Sequence, residues 1–245
     1  MIIPAIDIIA GQTVRLFKGD YKQVTPYEQS PAELVQNYAE TGAELIHVVD
    51  LQGARDVSKR QLSLIAELAA SVDVPIQTGG GIRTENDVGE LLNTGVSRVI
   101  IGSLAIKEPD LVQGWVKAFG PEKMVLALDV SLDEDGQKWL PTQAWQEGGQ
   151  VRLEEVLDQY LSVNIKHILC TDISRDGTLK GSNSQLYAEL QQKYPELNWQ
   201  ASGGIGGLGD IQEVAQTGVS GVIVGKALLD GLFTFKEAQS CWHDA

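Results

Sequence analysis

The chain repeats itself at half its own length, and that repeat limits its fold more than any local motif does. Pro4-Ala5-Ile6-Asp7-Ile8 returns as Leu126-Ala127-Leu128-Asp129-Val130, so Asp7 and Asp129 stand 122 positions apart. Val48-Val49-Asp50-Leu51 returns as Leu169-Cys170-Thr171-Asp172-Ile173, again with its Asp pair 122 apart. Gly80-Gly81-Ile82 and Gly203-Gly204-Ile205 are offset by 123, as are Val99-Ile100-Ile101-Gly102 and Val222-Ile223-Val224-Gly225. Four matches in one register point to a duplicated structural unit.

The unit is an alternation of strands and helices. Aliphatic or β-branched runs occupy residues 2–7, 45–50, 74–78, 98–101, 124–128, 165–169, 198–201 and 220–224, which gives eight candidate strands. Helical periodicity lies between them, as in Leu62, Ile65, Ala66 and Ala69 at i, i+3, i+4 and i+7. Nearly continuous apolar strands such as Val125-Leu126-Ala127-Leu128 suit a parallel sheet covered on both faces. An open doubly wound sheet gives no reason for two-fold repetition, whereas two (βα)₄ halves closing on each other do. The expected fold class is therefore α/β, a (β/α)8 TIM barrel with a two-fold half-barrel repeat, and residues 1–245 are expected to form a single catalytic domain. Residues 131–151, with Asp133-Glu134-Asp135-Gly136 and Glu147-Gly148-Gly149, are too long for an ordinary βα connection and read as a functional loop after the fifth strand.

The formal charge of -14 speaks against nucleic acid and anionic membrane as partners, since both need a basic patch. An anionic ligand would have to be held by local devices such as helix N-termini, against the overall field. Cys170 and Cys241 are too few for a disulfide framework and match no zinc or redox spacing, which fits a reducing, cytoplasmic setting. No apolar run approaches the ~18 residues of a membrane span, and Met1-Ile2-Ile3-Pro4 lacks the pattern of a targeting signal. Three scattered histidines without HxxxH spacing argue against a catalytic metal, and no cofactor is expected.

In such barrels the chemistry gathers where strands end. A lone Asp at a strand end ordinarily caps a loop or pairs with an Arg, but Asp7 and Asp129 face each other across half a barrel turn. That suits a proton-shuttling isomerisation. Asp50 and Asp172 read as structural, bracing Arg55 and Arg175 or orienting loops, while Asp176 in Ser174-Arg175-Asp176-Gly177-Thr178 is a third candidate or a plain Asp-Gly turn. The clusters Gly79-Gly80-Gly81 and Gly203-Gly204-Ile205-Gly206-Gly207 precede helices and read as anion cradles, with Gly102-Ser103 and Gly225-Lys226 as their second walls. Two symmetric cradles suit a long ligand with a phosphate at each end. Arg15 and Arg83 are candidate grips, Trp145 a candidate stacking platform, and His47 a barrel-interior histidine close to the strand end.

Through Ile3-Pro4-Ala5-Ile6-Asp7, His47-Val48-Val49-Asp50-Leu51, Gly79-Gly80-Gly81-Ile82-Arg83, Ala127-Leu128-Asp129, Cys170-Thr171-Asp172-Ile173-Ser174-Arg175-Asp176-Gly177-Thr178 and Ser202-Gly203-Gly204-Ile205, the chain resembles the phosphoribosylformimino-aminoimidazole-carboxamide ribotide isomerases of histidine biosynthesis. The sister cyclases carry a Lys soon after the first-strand Asp and a Lys-Asp-Gly-Thr run after strand six. Here those positions read Ile8-Ile9-Ala10-Gly11 and Arg175-Asp176-Gly177-Thr178, which favours the isomerase. The resemblance implies an Amadori rearrangement of a bis-phosphorylated aminoaldose to an aminoketose. It implies Asp7 as proton acceptor, Asp129 as donor and Asp176 as a further candidate, with Thr171, Arg175, Gly177, Thr178 and Ser202 added to the binding set. It also implies lids in loops one, five and six and is compatible with a monomer. The alternatives are the cyclase, the tryptophan-pathway isomerase, and a barrel that binds phosphate ligands without chemistry.

Overall fold

The computed structural model describes residues 1–17, 19–141 and 150–245. Eight parallel strands form a ring: β1 (Ile2–Ile9), β2 (Ile46–Asp50), β3 (Ile76–Gly79), β4 (Arg98–Ile101), β5 (Met124–Leu132), β6 (His167–Asp172), β7 (Asn198–Ser202) and β8 (Gly221–Val224). Each pairs with the next, and β8 closes onto β1. The principal helices between and after them are α1 (Pro31–Glu40), α2 (Leu62–Ser71), α3 (Glu85–Asn93), α4 (Pro109–Phe119), α5 (Leu153–Leu161), α6 (Ser184–Lys193), α7 (Leu208–Ala215) and α8 (Phe235–His243). The chain is a (β/α)8 barrel.

The duplication extends to hydrogen-bond register. Asp7 on β1 sits beside Val49 on β2, and Asp129 on β5 sits beside Thr171 on β6. His47 pairs with Gln77 as Leu169 pairs with Gln200, and Gly79 with Ile100 as Ser202 with Ile223. Ile2 meets Val222 as Met124 meets Val99. Every strand pair of one half thus has a counterpart in the other, so β1 and β5 lie four strands apart in a ring of eight, directly across the barrel.

Both faces of the strands are buried because successive side chains alternate between two cores. Ile3, Ala5, Leu45, Ile100, Val125, Leu169 and Ile223 fill the barrel interior. Ile2, Ile6, Ile8, Val48, Leu126 and Cys170 point the other way into the shell of helices, where Trp115 and Trp199 are almost wholly enclosed. This explains the long apolar runs; the buried polar side chains include Asp7 at the C-terminal mouth and His47, Gln77 and Gln200 inside the barrel. Helix starts follow local chemistry: Ser30, Thr84 and Thr234 each close a capping box with an acidic residue three positions on.

Two segments depart from the loop reading. Gln12–Phe17 is a strand that folds back antiparallel on β1, followed by a second strand, Asp20–Pro26, so Arg15 stands on a hairpin rather than in a loop. After β5, which runs on to Leu132, Lys138–Pro141 pairs back with it and Gln150–Arg152 follows. The 131–151 segment is therefore built on a hairpin, and Trp145 lies outside the described residues.

Candidate active site

The strand ends open into a cavity of about 740 Å³. Asp7, Asp129, Arg15, His47 and Asp176 line it, together with Gly80, Gly81 and Arg83 on one side and Ser202, Gly203 and Gly204 on the other. Gly102 and Ser103 after β4, Gly225 and Lys226 after β8, and Thr171 and Gly177 complete the predicted residues on its wall. Among the described residues, two of those predicted are not on it. Arg175 is exposed and its Nη1 reaches the Lys180 carbonyl at 3.5 Å, while the Thr178 hydroxyl donates to the Arg175 carbonyl at 2.6 Å, so both serve their own loop.

Asp7 is 8% exposed. The hairpin places Val14 opposite it and so brings in Arg15, whose Nη1 donates to Asp7 Oδ2 at 3.1 Å and whose Nη2 donates to Asp176 Oδ1 at 3.0 Å. One guanidinium thus ties the first strand end to the loop after the sixth. Burial pushes the Asp7 carboxyl above the usual range; Arg15 opposes that rise, and Asp176 adds to it. Burial likewise disfavours the charge on Arg15, and the two carboxylates more than compensate. Asp129, partly buried, faces the same cavity from the far side.

The second Asp pair orients loops, not arginines. Asp50 accepts from the Gly53 N–H at 2.8 Å, the Gln61 N–H at 2.7 Å and Gln61 Nε2 at 2.9 Å. Asp172 accepts from the Ser174 N–H and hydroxyl at 2.9 and 2.6 Å and from Asn183 Nδ2 at 2.7 Å. The Asp176 N–H then returns to the Asp172 carbonyl at 3.0 Å, which fixes the carboxylate that meets Arg15.

The glycine turns are equally symmetric. A Cβ on Gly81 would lie 1.9 Å from the Gly53 carbonyl oxygen, and one on Gly204 would lie 2.2 Å from that of Gly181. Both have positive φ, so only glycine suits them. Just ahead of the helices that follow, however, backbone N–H groups are taken by side chains of the first helical turn. Asp87 Oδ2 accepts from the N–H groups of Arg83 and Thr84 at 2.9 and 2.8 Å, and Asp210 Oδ2 from those of Gly206 and Gly207 at 2.8 and 2.9 Å. The short helices after β4 and β8, Leu104–Lys107 and Lys226–Leu229, have no side-chain cap, which makes them the better anion donors. Lys226 bonds Asp230, which also accepts from the Tyr27 hydroxyl at 2.7 Å.

The symmetry breaks beneath the first turn. Arg60, with a side chain 4% exposed, reaches the Gly81 carbonyl at 2.6 Å and Asp87 at 2.8 Å. In the second half the Gly181 N–H serves the Gly204 carbonyl instead, at 3.0 Å. Burial tends to raise Asp87, but Arg60 and the turn donors bring it down to about 2. Among the described residues, no group of three or more His, Cys, Asp or Glu is placed to hold a metal ion, and no helix is long and apolar enough to cross a membrane.

A family model described as histidine biosynthesis protein matches residues 1–234. The chain belongs to that family. Its histidine-biosynthesis relatives include 1-(5-phosphoribosyl)-5-((5-phosphoribosylamino)methylideneamino)imidazole-4-carboxamide isomerases from several bacteria. The Pseudoalteromonas atlantica enzyme is 57% identical over 99% of this chain and all of its own length. That of Alteromonas mediterranea is 55% identical over the whole of both chains, and that of Photobacterium profundum 55% identical over 99% of this one and all of its own.

Sequence reasoning in this histidine-biosynthesis chain missed Arg60, Asp87, Asp210, Gln77 and Gln200. A signal existed for two pairs: Asp87 and Asp210, like Gln77 and Gln200, stand 123 apart in the same register as the glycine turns.

Proposed function

We propose that residues 1–245 act as one catalytic domain that isomerises a bis-phosphorylated aminoaldose to an aminoketose in histidine biosynthesis. The observation that carries this reading is the placement of Asp7 and Asp129 across a single cavity flanked by two symmetric glycine turns. The names of the relatives describe a molecule with two phosphoribosyl groups, which suits a cavity with a glycine turn at either side. The phosphates would rest at Gly80-Gly81 with Gly102-Ser103, and at Gly203-Gly204 with Gly225-Lys226. Arg83 adds positive charge to the first end.

The chemistry needs only proton transfers and routes no step through a metal or redox cofactor. Asp129 donates a proton to the furanose ring oxygen, the C1–O bond breaks, and the nitrogen lone pair forms a C1=N iminium. Asp7 removes the proton from C2, and its electron pair neutralises the iminium to an enaminol. Loss of the O2 proton and protonation of C1 leave the ketone. Asp176 already accepts from Arg15 Nη2 at 3.0 Å, so it is assigned to holding that guanidinium, and the donor's part falls to Asp129. Both halves of the cavity come from one chain, which supports a monomer, and a cytoplasmic setting is consistent with the pathway.

Turnover of the bis-phosphate aminoaldose, followed by absorbance, is the direct test, with the anthranilate aminoaldose of tryptophan synthesis as comparison. The first is expected to react and the second barely. Asp7→Asn is expected to lower kcat by about 10²–10⁴-fold with binding largely kept. Preference for the anthranilate substrate, or full activity in the variant, would overturn the reading.

A further inference from the structure

The acid–base scheme leaves unused a polar cluster inside the barrel. Gln77 on β3 and Gln200 on β7 occupy equivalent registers, the first beside His47 and the second beside Leu169. They are 0% and 3% exposed. Across the barrel their amides bond twice: Gln77 Nε2 donates to Gln200 Oε1 at 2.7 Å, and Gln200 Nε2 donates to Gln77 Oε1 at 3.0 Å. The same Gln77 Nε2 lies 3.0 Å from His47 Nδ1.

A carboxamide nitrogen carries two hydrogens and accepts nothing, so Nδ1 is the acceptor in this contact. A neutral imidazole has one N–H, which then sits on Nε2. Nε2 has no partner among the described residues, and the ring lines the cavity. The reciprocal bonding gives the arrangement its stiffness. Turning one amide alone would set oxygen against oxygen and nitrogen against nitrogen in a buried place, where unpaired polar groups are costly. The two amides can exchange ends only together, and only if the His47 proton moves as well.

We propose that Gln77 and Gln200 are positioning residues: their paired amides hold His47 in the Nε2–H tautomer and so present it to the cavity as a neutral hydrogen-bond donor. Ala5 pairs with His47 and Asp7 with Val49, which puts the ring one inward-facing position below the carboxylate. Burial, with the Arg15 charge in a lesser part, lowers the ring to about 4, so it stays neutral at ordinary pH. A fixed neutral donor stabilises an oxygen on which negative charge develops without surrendering its proton. In the isomerisation that oxygen is O2, which turns from alcohol to ketone. This last assignment rests on the isomerase reading; the tautomer lock does not.

Long-range ¹H–¹⁵N spectra of the full-length protein, labelled at histidine, read the tautomer directly, with His47→Asn assigning the signal. The expected wild-type result is Nε2 protonated and Nδ1 bare, unchanged from about pH 8 to about pH 5. Gln77→Glu places an acceptor at Nδ1, so the proton is expected to move there or the ring to become charged. Its kcat should then fall about tenfold or more with KM within about twofold, the pattern of an interaction made in the transition state. The double substitution Gln77→Met with Gln200→Met keeps chain length and apolar packing, and should give mixed tautomers with a loss of kcat in the same direction. An Nδ1–H ring in the wild-type protein would overturn the proposal even if no variant folds. A proton that moves in Gln77→Glu without any change in kcat would overturn the positioning role. Absence of wild-type turnover would instead strike the isomerase reading, while the spectrum would still decide the tautomer.

Discussion

Replacing Arg15 with Met removes the one guanidinium that Asp7 and Asp176 share. Two unit charges about 4 Å apart interact by about 4 kcal/mol at an effective dielectric near 20. Asp7 is 8% exposed, so little water stands ready to replace the lost partner. Burial and Asp176, which already push its carboxyl upward, would then act unopposed. If rearrangement of Asp176 recovers half of the interaction, about 2 kcal/mol still favours the protonated acid, a factor of about 30. Only the ionised carboxylate can take the C2 proton. The acid limb of the kcat/KM profile should therefore move to higher pH, with a loss that approaches about thirtyfold below the wild-type limb and vanishes above the displaced one. Arg15→Lys keeps a charge but loses the fork that spans two carboxylates, so its displacement should be smaller. The measurement is a full pH profile of kcat/KM for wild type and both variants. A uniform loss at every pH, with the limb unmoved, would mean that Arg15 grips substrate instead of holding Asp7 ionised.

Gly204→Ala forces a side chain at φ +87° into a carbonyl 2.2 Å away, whereas the exposed helical Gly209 has nothing within 4 Å. The first should lose about 2 kcal/mol or more and about 4–8 °C in Tm, and Gly209→Ala should gain about 0.5–1 kcal/mol; equal effects in thermal unfolding would refute the close approach. His47, lowered to about 4 by burial, makes stability depend on pH. Between about pH 6.5 and pH 4 the unfolded chain binds a proton that the folded ring refuses, so stability is lost as pH falls, by about 3 kcal/mol in all. Urea unfolding at pH 7 and pH 4.5 should show that loss in wild type and a markedly smaller one in His47→Asn.

The barrel was legible because its repeat fell on residues that the fold constrains tightly: strand-end carboxylates and turns where a Cβ cannot fit. The hairpin that carries Arg15 was not. Its turn is Ala10-Gly11, with φ of 48° and 78°, and an alanine in that region lacks the Asn-Gly signal that marks such turns. Gln52 and Gln61 hold it from the neighbouring loop, accepting from the Ala10 and Gly11 N–H groups at 2.9 and 2.6 Å. Local propensity was overruled by side chains more than 40 positions away. The Arg15–Asp176 contact spans 161 residues and has no repeat to announce it, since the positions 122 away carry Gln137 and Ala54, which form no ion pair. The glycine turns lie on the cavity, and just beyond them Asp87 and Asp210 take the N–H groups of Arg83 and Thr84 and of Gly206 and Gly207.

The matching registers at β8–β1 and β4–β5 make the two seams of the ring interchangeable. Each half exposes, when separated, a leading edge that fits the trailing edge of its counterpart, in the manner of a head-to-tail pair. A chain opened between α4 and β5 and rejoined from residue 245 to residue 1 would bring together the same edges in the same alignment. Closure of the ring is thus an association of two like modules, and the peptide link between them sets their local concentration more than their fit.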